Sequence, residues 1–166
     1  MRVVAERGNL LGARLSDVVA EITDFESFDE RLKIRGEAHG PTGEFLRFID
    51  QSPVSEKIDN FTRGMKATGN GKLDLTLDIP LRRVTESRVS GEFQLQNNQV
   101  HLSEGLAPLT QVNGRLQLTE NSVVAQDIVG RVFGGPLKVQ VKSAGDKVGV
   151  VAVSYTHLTL PTIHTV

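Results

Sequence analysis

A chain of 166 residues is long enough for one domain and short for two. Its net charge of −1 leaves no electrostatic footprint for nucleic acid or an anionic membrane surface, and with no Trp and one Tyr it offers few rings for stacking bases. The lack of Cys excludes disulfides, thiolate metal sites and a Cys nucleophile from this chain.

The first third is mixed. Residues 2–6, 13–23 and 31–38 read as strands, with Leu15, Val19, Ile22, Leu32 and Ile34 supplying their apolar sides. A helical interlude follows. Thr42 reads as an N-cap, Glu44 stands in the first turn, and Phe45, Phe48 and Ile49 fall on one side at helical spacing. Ser52-Pro53 reads as a cap with Pro at the first helical position, opening a second short helix through Val54 and Ile58. The two helices are expected to plug one end or one flank of a sheet.

From Lys72 onward the pattern has period two. Leu73, Leu75, Leu77 and Ile79 alternate with Asp74, Thr76 and Asp78. Val89, Gly91, Phe93 and Leu95 repeat the pattern, followed by Val112, Gly114, Leu116 and Leu118, then Leu137, Val139 and Val141, then Val148, Val150 and Ala152. Strict alternation puts apolar side chains on one face and polar ones on the other, as in half-buried antiparallel strands. Asn97-Asn98 reads as a tight turn taking positive φ, and Glu120-Asn121 as a weaker one. Gly134-Gly135-Pro136 is expected to interrupt pairing before Leu137, and Ala144-Gly145-Asp146 to separate the last two strands. Short connections predict a meander of sequential strands. Gly71-Lys72-Leu73-Asp74-Leu75, Gly91-Glu92-Phe93-Gln94-Leu95 and Gly114-Arg115-Leu116-Gln117-Leu118 echo one another, which fits either an extended repetitive sheet or any meander of alternating strands. The fold class is mainly β: an extended antiparallel sheet forming an open groove, with one or two short helices near residues 42–59.

Catalytic constellations are missing. His39, before Gly40-Pro41, reads as a loop residue, and His101 lies on the polar side of an alternating run. No HxH, HExxH or Asp/Glu/His cluster has metal-ligand spacing. Asp74 and Asp78, four apart on one strand face, read as keeping the outer face wet rather than as an acid–base pair. Gly69-Asn70-Gly71 lacks the frame of a phosphate loop, Asn60-Phe61-Thr62 is a lone sequon, and no Gly-x-Ser-x-Gly elbow occurs. No enzyme, metal or cofactor is indicated.

Residues 153–166 break with the rest: charge disappears and the glycine punctuation stops. Val153-Ser154-Tyr155-Thr156-His157-Leu158 is what GTC TCT TAT ACA CAT CT encodes, which resembles a transposase-type sequencing adapter read in one frame. Residues 1–152 are therefore taken as the native segment and residues 153–166 as adapter read-through. No run of about eighteen apolar residues exists to span a membrane, and the opening Met1-Arg2-Val3-Val4-Ala5-Glu6 meets an acid too early for a signal peptide. An anchor or export signal is expected in parts of the parent protein outside this chain.

One ordered set of motifs goes beyond generic β pattern. A short helix ending in Ser-Pro spans residues 44–54, and residues 67–81 hold a Gly-x-Leu-x-Leu-x-Leu-x-Ile-Pro-Leu strand. A Val-x-Gly-x-Phe strand follows from Val89, a Val-x-Gly-x-Leu strand from Val112, and a Phe-Gly-Gly-Pro step from Phe133. In this order they resemble the AsmA-like, YhdP-type proteins of Gram-negative envelopes. The resemblance implies a slice of a long protein, anchored in the inner membrane by an N-terminal helix and built as a periplasmic repeating β-groove that moves phospholipid between inner and outer membranes. The implied partners are phospholipid acyl chains and neighbouring segments of the same parent chain, with no nucleic acid, and with membrane contact only through parts outside this chain.

The candidate lining of such a groove is Leu73, Leu75, Leu77, Phe93, Leu95, Val100, Leu102, Leu116, Leu118, Val139 and Val141. The alternation alone fits equally a packed core, with these residues covered by another sheet or by the helices. The lipid reading has a physical motive: at about 0.8 kcal/mol per exposed methylene, a two-chain lipid crossing water faces a barrier on the order of 20 kcal/mol. A continuous apolar face lowers that barrier with no catalytic residue. The rival readings are a structural or adhesive β-rich scaffold of a secreted or surface protein, which would favour regular Asn or Gly ladders, and a carbohydrate-binding accessory domain, which would favour exposed Trp or Tyr.

Overall fold

The computed structural model describes residues 1–10, 12–23, 30–51, 60, 62–144 and 147–154. Nine strands follow in chain order: β1 (Arg2–Leu10), β2 (Ala13–Thr23), β3 (Arg31–Pro41), β4 (Lys66–Pro80), β5 (Arg88–His101), β6 (Leu109–Thr119), β7 (Val123–Val132), β8 (Gly135–Ala144) and β9 (Lys147–Ser154). Among the described residues, one helix, α1 (Thr42–Asp50), lies between β3 and β4, and a single 3₁₀ turn (Val84–Glu86) lies between β4 and β5. The strands form one sheet in the order β1 to β9, every neighbour antiparallel, with β1 and β9 as its two edges. The sheet is open rather than closed into a barrel, as the groove expectation requires. The expected foreign tail enters the described residues only as Val153 and Ser154 at the end of β9.

The strands are long and sharply bent. Register shifts interrupt β2–β3, β4–β5, β5–β6, β6–β7 and β7–β8. Positive φ at Asp17, Gly69, Asn97 and Gln111 falls at four of these breaks. An extra residue of this kind bends its strand and tightens its twist. Asparagine side chains fasten the bends. The Asn97 N–H donates to Asn113 Oδ1 at 2.8 Å, Asn113 Nδ2 donates to the Gln111 carbonyl at 2.9 Å, and Asn98 Nδ2 donates to the Asn70 carbonyl at 2.9 Å.

These bonds correct one expectation. Asn97 takes positive φ, but within β5 rather than at a turn between strands. With side-chain amides satisfying the local backbone groups, the strand runs on to His101. Other boundaries shift as well. β1 extends to Leu10, and β3 runs through His39 to Pro41, so His39 is an exposed strand residue and not a loop residue. Pro41, not Thr42, holds the N-cap position of α1, and no side chain caps that end; Thr42 is its buried first residue. The turn before β8 is Phe133-Gly134, with Gly135 and Pro136 already paired to β7. Glu120-Asn121 does connect β6 to β7, closed by the Thr119 N–H on the Ser122 carbonyl at 2.9 Å. The expected second helix from Ser52-Pro53 falls on residues 52–59, outside the described residues.

The packed core sits on one face toward the β5–β8 side. Leu95, Leu109, Val112, Val123, Ala125, Ile128, Leu137, Val139 and Val141 are buried in one cluster, with Ile49 of α1, Phe93, Val100, Leu102, Leu116, Leu118 and Val132 packed against it. Burying each large aliphatic side chain contributes about 1.5–3 kcal/mol relative to exposure.

Candidate functional site

Residues directly opposite in a ladder share a face, so the register sorts every side chain. Ala38, Leu73, Phe93 and Leu116 stand in one row across β3 to β6. Gly36, Leu75, Gly91 and Leu118 form the next, and Leu118 continues to Val123 on β7. Ile34, Leu77 and Val89 make a third. Ala125 faces Val141 and Ile128 faces Val139 on β8. One apolar face thus runs from β2 to β8 without a charged residue in these rows.

All eleven candidate lining residues fall on this face. They agree although Leu95 and Val100 differ in parity, because the extra residue at Asn97 resets the alternation between them. Leu102, just past β5, joins them by packing against the same cluster. Their burial differs. Leu95, Val139 and Val141 are buried in the core, whereas Leu73, Leu75, Leu77, Phe93, Val100, Leu102, Leu116 and Leu118 remain partly exposed. The face therefore has a closed part formed by Leu95 with β7, β8 and the first residues of β6, and a less covered part formed by Leu73, Leu75, Leu77, Phe93, Leu116 and Leu118 on β4–β6.

Glycines set the relief of this face. Gly71 and Gly114 both stand opposite Leu95. A Cβ on Gly114, where φ is +151°, would come 2.8 Å from the Ile128 α-carbon, so the close approach of β6 to β7 requires glycine. The three echoed Gly-led segments of the sequence lie inside β4, β5 and β6, with Gly71, Gly91 and Gly114 all on this face.

The opposite face is charged. Glu37, Asp74 and Glu92 lie directly opposite one another on β3, β4 and β5, a like-charge row that opposes pairing. Cations relieve it: Lys72 reaches Glu37 at 3.1 Å and Asp74 at 3.3 Å, and Arg115 lies 3.7 Å from Glu92. The hydrogen bond from Lys72 holds the Glu37 carboxyl below its ordinary range, and Glu37 in turn raises Lys72. Arg31 bonds Asp78 at 2.8 Å and lowers its pKa. Asp74 and Asp78 are thus engaged with separate cations on the water side. His39 stands 3.7 Å from Glu37 on this face. A shallow open depression of about 690 Å³ marks its centre, lined by Arg35, Glu37, Asp74, Thr76, Ser90 and Glu92 among others. Among the described residues, no group of three His, Asp or Glu comes together to hold a metal ion, and no helix is long and apolar enough to cross a membrane.

β7 escaped the sequence pattern altogether, and with it the core residues Val123, Ala125 and Ile128. The two-residue break between Ala125 and Ile128 moves the apolar positions from odd to even numbers, so no alternating run is long enough to see. The punctuation on either side, Glu120-Asn121 and Gly134-Gly135, was the available signal.

The described residues thus form an open sheet with one apolar and one charged face. The family model for the YhdP protein matches residues 1–163. A curated relative, the intermembrane phospholipid transporter YhdP of Escherichia coli (strain K12), is 26% identical over 147 residues, covering 88% of this chain and 11% of the relative. The chain therefore spans about one-ninth of that relative's length. No solved structure matches it. The match over nearly the whole chain places it: this chain belongs to the YhdP family.

Proposed function

We propose that this chain is a segment of a phospholipid-conducting groove, in the periplasmic part of a protein anchored in the inner membrane. The observation that carries the reading is the division of one open sheet into an apolar face, partly uncovered on β4–β6, and a charged face spread with ion pairs. Acyl chains lying on Leu73, Leu75, Leu77, Phe93 and Leu116 complete the cover of the apolar side, while the charged side stays in water. The relative's name, an intermembrane phospholipid transporter, supports the same ligand class. The groove works by lowering the cost of hydrocarbon exposure, so the mechanism requires no bond to be made or broken. Leu95, Val139 and Val141 serve this function as the packed support of the lining. The native segment is taken to end at Ala152, which sequencing of the gene across that codon tests.

The experiment is photocrosslinking in the intact parent protein, in cells. A photoreactive residue replaces Leu75 or Leu116, with Asp74 and Gln117 of the charged face as controls. Lipid adducts at the leucine positions alone are expected. Protein adducts alone at Leu75 and Leu116 would instead establish a structural scaffold, the reading favoured by the buried cluster on β5–β8.

A further inference from the structure

Helix α1 lies on the face that a lipid chain would take. It packs against β3 and β4. Phe45 meets the ring of Phe93 edge-on, with centroids 5.0 Å apart, and Ile49 packs against the core cluster. The hold is small. The helix has nine residues, no side-chain cap at its start, and Phe48 left 49% exposed. A helix this short keeps its form through packing rather than by itself.

Near the start of the helix, two buried side-chain oxygens have no hydrogen-bond partner among the described residues, Thr42 Oγ1 and Asn98 Oδ1. Thr42 is 3% exposed and Asn98 0%. Both belong to one junction: Pro41, just before Thr42, pairs with Asn70, and the Asn70 carbonyl accepts from Asn98 Nδ2. That bond fixes the nitrogen of the amide, so the oxygen is the orphan. Buried acceptors with no donor weaken the packing that encloses them.

We propose that α1 is a reversible plug of the groove: Phe45 and Ile49 occupy the apolar face in this structure, and an entering acyl chain displaces them. The proposal rests on the lipid-conducting reading of that face. Aromatic and aliphatic carbons leave and methylenes arrive, so the face stays covered, while the buried Thr42 Oγ1 at the helix start gives up an enclosure in which it has no partner among the described residues. The two states are then close in free energy, as an exchangeable cover requires.

The test uses the intact parent protein carrying Phe45→Cys and Phe93→Cys, bridged by a reducible bifunctional thiol reagent; this chain supplies no competing Cys. A photoreactive residue at Leu73, beside Phe93 in the ladder, reports on the plugged region, and one at Leu77 reports on the face away from α1. Lipid adducts at Leu73 are expected to fall about tenfold in the bridged protein and to return on reduction. Phe45→Ala, without any bridge, is expected to raise adducts at Leu73 severalfold over the parent. Equal labelling of Leu73 in the bridged and reduced protein overturns the plug while adducts at Leu77 uphold the groove. An absence of lipid at both positions, bridged and reduced alike, overturns the groove and the plug together.

Discussion

The ring of Phe93 lies directly over Gly71: a Cβ on Gly71 would stand 2.2 Å from the ring's Cζ. No side chain fits there with the ring in place, so Gly71→Ala forces Phe93 aside and with it the edge contact to Phe45. A destabilisation of about 1–3 kcal/mol is expected from such overpacking. Native-state hydrogen exchange on the parent protein reads it as faster exchange in β4 and β5. Combining Gly71→Ala with Phe93→Leu recovers part of the loss, and the coupling between the two sites is the quantity to measure.

The closed and less covered parts of the apolar face respond differently to truncation. Ile128, 4% exposed within the core cluster, leaves a cavity on Ile128→Ala and is expected to lose about 2–5 kcal/mol. Leu75, partly exposed, loses less on Leu75→Ala because its surroundings include solvent. Exchange rates in β7 and β4 of the two variants separate the outcomes, and equal losses would mean that the face is covered uniformly.

Charge placed on the two faces has opposite consequences for lipid. Leu77→Lys puts an ammonium on the apolar face and is expected to cut phospholipid co-purifying with the parent protein about tenfold, since a charge in hydrocarbon must be paired or expelled. Thr76→Lys, on the next residue of β4, puts it on the face already carrying Lys72 and Arg115 and leaves the lipid content unchanged. Phosphate analysis of the purified proteins checks both.

The carboxylate row makes a pH prediction. Glu37 is lowered by its bond from Lys72, so its contribution is present above its ordinary value and is lost as pH falls through the lowered one. Lys72 is raised by Glu37, so its contribution is present below its ordinary value and is lost as pH rises through the raised one. In Lys72→Met, Glu37, Asp74 and Glu92 face one another with Arg115 beside Glu92 and His39 beside Glu37. The variant is then expected to lose less stability than the parent as carboxylates are protonated. Exchange of β3 and β4 amides measured across the acid range, corrected for intrinsic rates, tests the sign. At the far end of the sheet, Asp78→Asn weakens the Arg31 pair, which as a partly exposed ion pair contributes at most about 1 kcal/mol.

The sequence was most legible where its alternation was unbroken. Leu73 to Ile79 and Leu116 to Leu118 were placed on the apolar face by parity alone, and the ladder keeps them there. It was least legible where a strand carries an extra residue. Asn97 looked like a turn because positive φ is the same local demand in a bulge and in a hairpin; only the Asn113 side chain, far along the chain, decides for the bulge. β7 vanished for the same reason, its parity being reset between Ala125 and Ile128. Thr42 looked like a cap because its residue type suits one, yet Pro41 already holds the extended conformation of that position. The eleven residues share one face despite these errors because the bulge at Asn97 turns Val100 and Leu102 to the face where Leu95 already stands.

Every strand of this sheet pairs with the strand just made. The order β1 to β9 contains no crossover, so no strand waits for a partner synthesised much later. Loop closure then involves consecutive strands at each step, the longest connection being residues 42–65 between β3 and β4, and such sequential pairing favours fast assembly. A chain delivered end first, as through a narrow passage, can add one strand at a time to a finished edge and cover its apolar side progressively. The architecture sets no upper limit on length: a sheet grown by this rule lengthens by repetition, with its two faces already sorted at each addition.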